Sequence, residues 1–377
     1  MKNLILAGIC MAVMAEAQVT QQGKGGASSC SSSQSCSYFY QGDTPLVSSC
    51  APSYNLPATV AMPCQWGGFF DASYLYWYAG EGGLDVATQG VLVGGTVLPP
   101  NTSSNILYPK FEYSSGFKVG VGGMPGVDDW VLRADYTYVR QKVNTSFAAQ
   151  SQPNGTGVLF LTSWFVQSSS TQQPLAASSA SSQWRLGIDW LDATMSRPHY
   201  MGRNWTVTPF GGLRSSWIRQ SYHITLNSIL NAAGPSQMVS TNRSSGWGIG
   251  PRGGVEWHWL AGSQFRFQGA FGASLLYTKY TTLSHSETAL TARTDPASYS
   301  MSNPTFLQPM AESNLGIGWS GYWSNKARFD LSATYDFNML WSQNMLRTLN
   351  DNFIQGVNPA SNNLFLHGVT VNARVDF

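Results

Sequence analysis

Apolar and polar positions alternate without a break along several stretches of this chain. Over 326–341, Ala327, Phe329, Leu331, Ala333, Tyr335, Phe337, Met339 and Trp341 alternate with Lys326, Arg328, Asp330, Ser332, Thr334, Asp336 and Asn338. The last residues repeat the pattern, with Val371, Ala373, Val375 and Phe377 against Asn372, Arg374 and Asp376. A period of two belongs to a β-strand, whose successive side chains point to opposite faces. Stripes this long, ending in Trp and Tyr, predict strands with one face in lipid rather than strands of a soluble sandwich.

The same reading places eight further strands. The first, near 68–80, carries Phe70, Ala72, Tyr74, Tyr76 and Tyr78 on its apolar face; the second carries Phe111, Tyr113, Phe117, Val119 and Val121. Trp130, Leu132, Ala134, Tyr136 and Tyr138 mark the third, and Trp184, Leu186, Ile188 and Trp190 the fourth. Trp205, Val207, Leu213 and Trp217 follow, then Trp247, Ile249, Val255, Trp257 and Trp259, then Phe265, Phe267, Phe271, Leu275 and Tyr277, then Leu315, Ile317 and Trp319. Short turns near 123–128, 195–203, 261–263 and 324–325 alternate with long polar segments near 81–104, 150–181, 222–243, 282–306 and 343–363. That is the order of short periplasmic turns and long external loops in an outer-membrane barrel. The expected fold is all-β, a transmembrane antiparallel β-barrel of about ten strands over residues 66–377. The count becomes twelve or more if the apolar run at 158–166 forms another hairpin.

With the apolar faces in lipid, the lumen receives Glu112, Lys118, Arg133, Asp135, Arg185, Asp189, Arg214, Arg252, Glu256, Arg266, Arg328, Asp330, Asp336 and Arg374. Both signs are interspersed. This suits cross-strand ion pairs that fill a narrow barrel and also a charged constriction that selects ions or small polar solutes. Gly246, Gly248, Gly250, Gly254, Gly316 and Gly318 share the lumen side. They make room for an aromatic side chain, for the N-terminal segment or for water, or they let the strands curve.

At this point the residues resemble a family. Gly67-Gly68-Phe69-Phe70-Asp71-Ala72-Ser73-Tyr74-Leu75-Tyr76-Trp77 with Glu81-Gly82-Gly83-Leu84, Ser115-Gly116-Phe117-Lys118-Val119-Gly120-Val121-Gly122, Asp128-Asp129-Trp130 and Asp135-Tyr136-Thr137-Tyr138 are similar to the first three strands of the major outer membrane proteins of legionellae and chlamydia-like bacteria. The resemblance implies an abundant, porin-like surface protein, often disulfide-held in an envelope where cysteine crosslinks supplement peptidoglycan. No functional residue carries over, and the expected barrel and its loops hold no cysteine, so any such crosslink must use Cys30, Cys36, Cys50 or Cys64.

The N-terminus reads as a secretory leader over 1–17: Lys2, an apolar run from Leu4 to Met14, and a small-x-small site at Ala15-Glu16-Ala17. Ile9 before Cys10 argues against lipidation. Beyond residue 17 no run of about 18 apolar residues offers a spanning helix, so a membrane chain must be a closed barrel. Residues 18–65, rich in Ser, Gln, Gly and Pro, read as an irregular plug or periplasmic extension. They hold Cys30, Cys36, Cys50 and Cys64, an even set that in an oxidising compartment suggests two disulfides with three possible connectivities. Zinc is the weaker reading, since no C-x2-C spacing is present.

Charged residues are 11% of the chain and aromatics 13%, while mean hydropathy is only -0.14. Two-faced strands produce that combination, because averaging cancels their faces. The net charge of +2 argues against a nucleic-acid partner. His199, His223, His258, His285 and His367 are scattered. Asp85, Asp295 and Asp351 share the expected external loops with His223 and His285, yet no local motif supports an aspartate and histidine rim, so no enzyme and no cofactor is expected. Asn101-Thr-Ser, Asn204-Trp-Thr and Asn242-Arg-Ser match a glycosylation acceptor and receive no role.

The functional expectation is an outer-membrane porin-like protein that gives passive diffusion of ions and small polar solutes and contributes to envelope structure. The alternative is a closed structural or adhesive surface barrel whose external loops bind a host or envelope partner. A narrow ten-stranded lumen weakens the first. Expected partners are outer-membrane lipid and lipopolysaccharide, the barrel-assembly machinery through Phe377, and a second copy of the chain or disulfide-linked envelope proteins.

Overall fold

Ten antiparallel strands close into a ring. The computed structural model describes residues 39–41, 44–46, 67–93, 96–98, 105–124, 130–148, 157–165, 176–201, 204–229, 237–261, 264–289, 297–323, 327–355 and 362–377. The expected leader at 1–17, the four cysteines Cys30, Cys36, Cys50 and Cys64 and most of 18–65 lie outside the described residues. From that segment only Phe39–Gln41, paired antiparallel with Thr44–Leu46, is described.

The barrel strands are β1 (Phe69–Glu81), β2 (Tyr113–Gly123), β3 (Val131–Ala148), β4 (Ala176–Ser196), β5 (Trp205–Ile229), β6 (Gln237–Leu260), β7 (Phe265–Ala289), β8 (Thr305–Trp323), β9 (Ala327–Leu340) and β10 (Leu364–Asp376). Each pairs with its neighbours in sequence order. β10 then pairs with β1, from Leu364 opposite Glu81 to Asp376 opposite Phe69, which removes the free edge. Closure is what lets strands cross hydrocarbon, because every backbone donor and acceptor finds a partner within the sheet.

The outward face is the apolar one on nine of the ten strands. Phe70, Tyr74, Leu213, Phe267, Leu315, Leu331 and Val371 are all exposed to the surroundings of the barrel. Toward the short turns, Trp205 stacks on Trp259 at 6.1 Å between ring centroids and Trp259 on Phe267 at 5.5 Å. Toward the long loops, Tyr76 stacks on Tyr113 at 5.2 Å and Phe117 on Tyr138 at 5.0 Å, while Trp217 faces Trp247. Trp205 and Trp217, on one strand, are separated by about 30 Å of membrane normal at ordinary rise and tilt, the distance between two interfacial aromatic girdles.

Three expectations are corrected. The apolar run at 158–166 adds no spanning hairpin: Gly157–Leu161 pairs with Ala87–Val93 of the first external loop and with the start of β4. The segments 222–243 and 282–306 are largely strand, because β5, β6 and β7 run on to Ile229, from Gln237 and to Ala289. The outward positions there are mostly polar and the apolar ones, Tyr222, Ile224, Leu226, Met238 and Leu283, point inward, so a lipid-facing stripe is missing although the ladder continues. The segment 343–363 contains a helix, α1 (Met345–Gln355), started by Asn344, whose Oδ1 accepts the Arg347 amide at 3.0 Å.

The fourth correction concerns facing. Trp184, Leu186, Ile188 and Trp190 of β4 point into the barrel and are at most 2% exposed. Arg185 and Asp189 therefore lie on the outer surface: Asp189 sits opposite Tyr138 and Trp217, and Arg185 opposite Lys142. The physical reason is that the outer part of this lumen is apolar, so aromatic alternation on β4 reports the core and not lipid. Glu112 is likewise not luminal; it precedes β2 and is exposed.

The assigned lipid face is directly testable. Leu331 is 42% exposed on β9, with Trp319 and Ala373 opposite. Leu331→Arg, on this lipid face, should cost about 2–4 kcal/mol and block assembly. Ser286→Arg, exposed on the outer extension of β7, should stay within about 0.5 kcal/mol. Heat-modifiable gel mobility of the two refolded variants measures the difference, and equal behaviour would reject the facing.

Candidate functional site

The lumen has two chemically distinct halves. Nearer the short turns, the inward positions of the alternating strands surround a chamber of about 300 Å3. Lys118, Arg133, Arg214, Arg252, Arg266 and Arg374 meet Asp135, Asp192, Glu256, Glu312, Asp330 and Asp336 there, six cations against six carboxylates.

Most of these charges are matched, some across strands and some two residues along the same strand. Arg133 reaches Asp135 at 2.8 Å and Asp71 at 3.0 Å, and Lys118 approaches Asp135 at 3.9 Å. Arg266 binds Asp330 through Nη2 to Oδ1 at 2.6 Å, and Arg328 donates to the same carboxylate at 3.1 Å. Arg252 pairs with Glu312, and Arg374 with Asp376 at 2.8 Å while its guanidinium lies 3.7 Å from the Phe69 ring centroid. Asp336 accepts from Thr334 at 2.9 Å and from Thr370. Glycine makes the room this network needs: a Cβ at Gly318 would come 2.7 Å from the Arg266 guanidinium carbon.

Arg214 marks the boundary between the halves. Its Nε and Nη2 donate to the two oxygens of Asp192 at 2.6 and 2.7 Å, and Nη2 also meets Glu312 at 2.8 Å. On its other side lie the Met310 sulfur at 3.1 Å and the Trp190 ring at 5.0 Å. Both partners of the Arg214 and Asp192 pair are 2% exposed.

Beyond Arg214 the inward residues turn apolar. Trp77, Val139, Val143, Trp184, Ile188, Tyr222, Ile224, Leu226, Tyr280, Leu340 and Leu366 line the wall, and three loop segments fill the space they enclose. Leu84, Val86 and Ala87 come from the first external loop, Phe160, Trp164 and Phe165 from the second, and Met345, Leu346 and Leu349 from α1, which packs against β6 and β7. Trp164 is fully buried; its Nε1 donates to the Asp85 carbonyl at 2.7 Å and its ring meets Tyr222 edge-on at 5.1 Å. The Tyr222 hydroxyl donates to the Leu84 carbonyl at 3.0 Å. Arg347 ties the segments together, reaching Asp85 Oδ1 at 2.9 Å and Ser163 Oγ at 2.8 Å. The outer half of the lumen is thus closed by a plug made of loops.

Of the expected lumen residues, Lys118, Arg133, Asp135, Arg214, Arg252, Glu256, Arg266, Asp330, Asp336 and Arg374 line one chamber, with Arg328 inward beside Asp330. Asp192, Glu312 and Asp71 are additions. Glu312 shares parity with Gly316 and Gly318, so extending that alternation backward from Leu315 finds it. Asp192 shares parity with Trp190, and only the reversed facing of β4 admits it. The aspartates and histidines of the external loops are not gathered among the described residues. Asp85 belongs to the plug, His223 bonds Thr241 at 3.1 Å, and His285 bonds Asn242 at 2.7 Å and Glu287 at 3.2 Å. Asp295 lies outside the described residues.

Comparison with known proteins bears on this barrel. Among solved structures, the outer membrane protease OmpT from Escherichia coli superposes with a TM-score of 0.35 at 11% identity, over 82% of this chain and 96% of that one. OprG from Pseudomonas aeruginosa gives 0.23 at 8% identity, over 82% and 95%. No curated protein matches the chain. The family described as Legionella pneumophila major outer membrane protein precursor matches residues 61–377, the whole of the barrel. The chain belongs to the Legionella major outer membrane protein family and resides in the bacterial outer membrane.

Proposed function

We propose that this barrel is a porin-like pathway for ions and small polar solutes, closed at its outer end in the conformation described, and that it also contributes to envelope structure. The observation that supports this reading is the polar chamber beneath a plug built from loop segments. A chamber lined by six cations and six carboxylates solvates small ions of either sign. Its closure rests chiefly on side chains of loops and of α1, outside the ten-strand ladder. Burial of each large apolar side chain in the plug contributes about 1.5–3 kcal/mol. Ordering each loop residue costs about 1–2 kcal/mol, so the plug is held by a difference of similar terms.

A second reading, the closed structural or adhesive surface barrel, draws on the tight packing of the same plug. Single-channel recording of the refolded full chain in a planar bilayer separates the two. The proposal expects rare discrete openings over a quiet baseline, with a reversal potential near zero in a potassium chloride gradient because the chamber charges balance. Continuous silence from protein shown to be folded and inserted, in the native chain and in the plug variant described below, would overturn it in favour of the closed barrel.

A further inference from the structure

The outer wall of β3 to β6 carries a group of cations just beyond the aromatic girdle. Lys142 on β3 lies opposite Arg185 on β4, which lies opposite Ser221 on β5, which lies opposite Arg243 on β6. All three cations are exposed, and none has an ion-pair partner among the described residues. Two residues nearer the membrane, Arg140 and Arg219 flank Gly187, and both donate to Asp189, at 2.8 and 2.6 Å. A shallow depression lined by Arg140, Lys142, Arg185 and Arg219 lies between these strands, with the Arg140 side chain resting over Gly187. Among the described residues, only Arg140 and Arg219 of these five cations have a carboxylate within ion-pair distance, and they share Asp189.

This arrangement opposes folding on its own. Like charges directly opposite one another on adjacent strands are destabilising, and Lys142 faces Arg185 squarely. Each exposed cation lies four residues outward of Tyr138, Asp189 or Trp247 on its own strand, which is roughly 10 Å beyond the girdle. His223, on the outer extension of β5, is held below the ordinary imidazole range by partial burial and by Arg243 and Arg185. It adds no charge at neutral pH.

We propose that Lys142, Arg185 and Arg243, with Arg140 and Arg219 beneath them, bind the phosphate groups of a phosphorylated glycolipid of the outer leaflet. The height matches a headgroup and not a free solute. Arginine presents a planar fork that fits phosphate oxygens two at a time, and lysine supplies a point charge. The ligand brings the negative charge that the sheet lacks, so binding relieves the repulsion across β3 and β4.

The test titrates the detergent-solubilised full chain with bisphosphorylated lipid A and with its dephosphorylated form, read by tryptophan fluorescence. The native chain should prefer the phosphorylated lipid by roughly a hundredfold. Lys142→Gln/Arg185→Gln/Arg243→Gln should lose most of that preference, whereas the charge-preserving Lys142→Arg/Arg185→Lys should retain it. Lys142→Gln alone should show a partial loss, and it serves if the triple variant does not fold. Equal affinity for the two lipids, or an unchanged preference in the glutamine variants, would overturn the assignment. Inorganic phosphate binding as tightly as the lipid would overturn the lipid as its ligand.

Discussion

Replacing Trp164 by alanine should raise the open probability of the barrel by roughly a hundredfold to several thousandfold. Trp164 is fully buried in the plug, donates to the Asp85 carbonyl and packs on Tyr222, while Arg347 lies 5.4 Å over its ring. Truncating a buried tryptophan costs about 3–5 kcal/mol, and every 1.4 kcal/mol is about a factor of ten in an equilibrium. The loss falls on the closed conformation alone, because the residue sits on a loop and takes no part in the barrel ladder. Planar-bilayer recording compares open probability in Trp164→Ala and in the native chain. Unchanged silence, in variant protein with native heat-modifiable mobility, would show that the plug does not control passage.

The second large effect concerns Arg214. Arg214→Ala removes the cation between Asp192 and Glu312 and leaves a buried carboxylate without its bidentate partner, a change that costs about 3–5 kcal/mol. Arg214→Met/Asp192→Ala removes both charges and should recover most of the loss, since replacing a buried pair by apolar groups is often close to neutral. Urea unfolding of each variant in liposomes measures this as a shift of midpoint at constant slope. A double variant as unstable as the single one would mean that Arg214 acts through its contacts to Met310 and Trp190, not through the ion pair.

The architecture was legible because lipid imposes a simple rule on β8, β9 and β10: Leu315, Leu331 and Val371 face out, and their neighbours face in. Strand order and short-turn positions followed from that rule. It failed where the lumen also became apolar. On β4, Trp184 to Trp190 obey perfect alternation, yet the solvent they avoid is water at the membrane edge and the phase they enter is the plug. The plug was illegible for another reason. Leu84, Trp164 and Leu346 lie far apart in the chain, and nothing local says that their loops fold inward together. Chamber residues came through because their parity is set by strands whose outer faces are unambiguous.

The unequal length of the strands has a consequence for what meets this protein from outside the cell. β5, β6 and β7 continue to Ile229, from Gln237 and to Ala289, whereas β1 stops at Glu81 and β9 at Leu340. Beyond Trp217 the long strands rise by roughly 30 Å at ordinary rise and tilt. The rim is therefore lopsided, a tall palisade on one side and a low sill on the other. An antibody or a phage tail descending through the sugar coat touches the palisade crest first. Sequence drift under such pursuit should concentrate at the crest, while the sill stays sheltered.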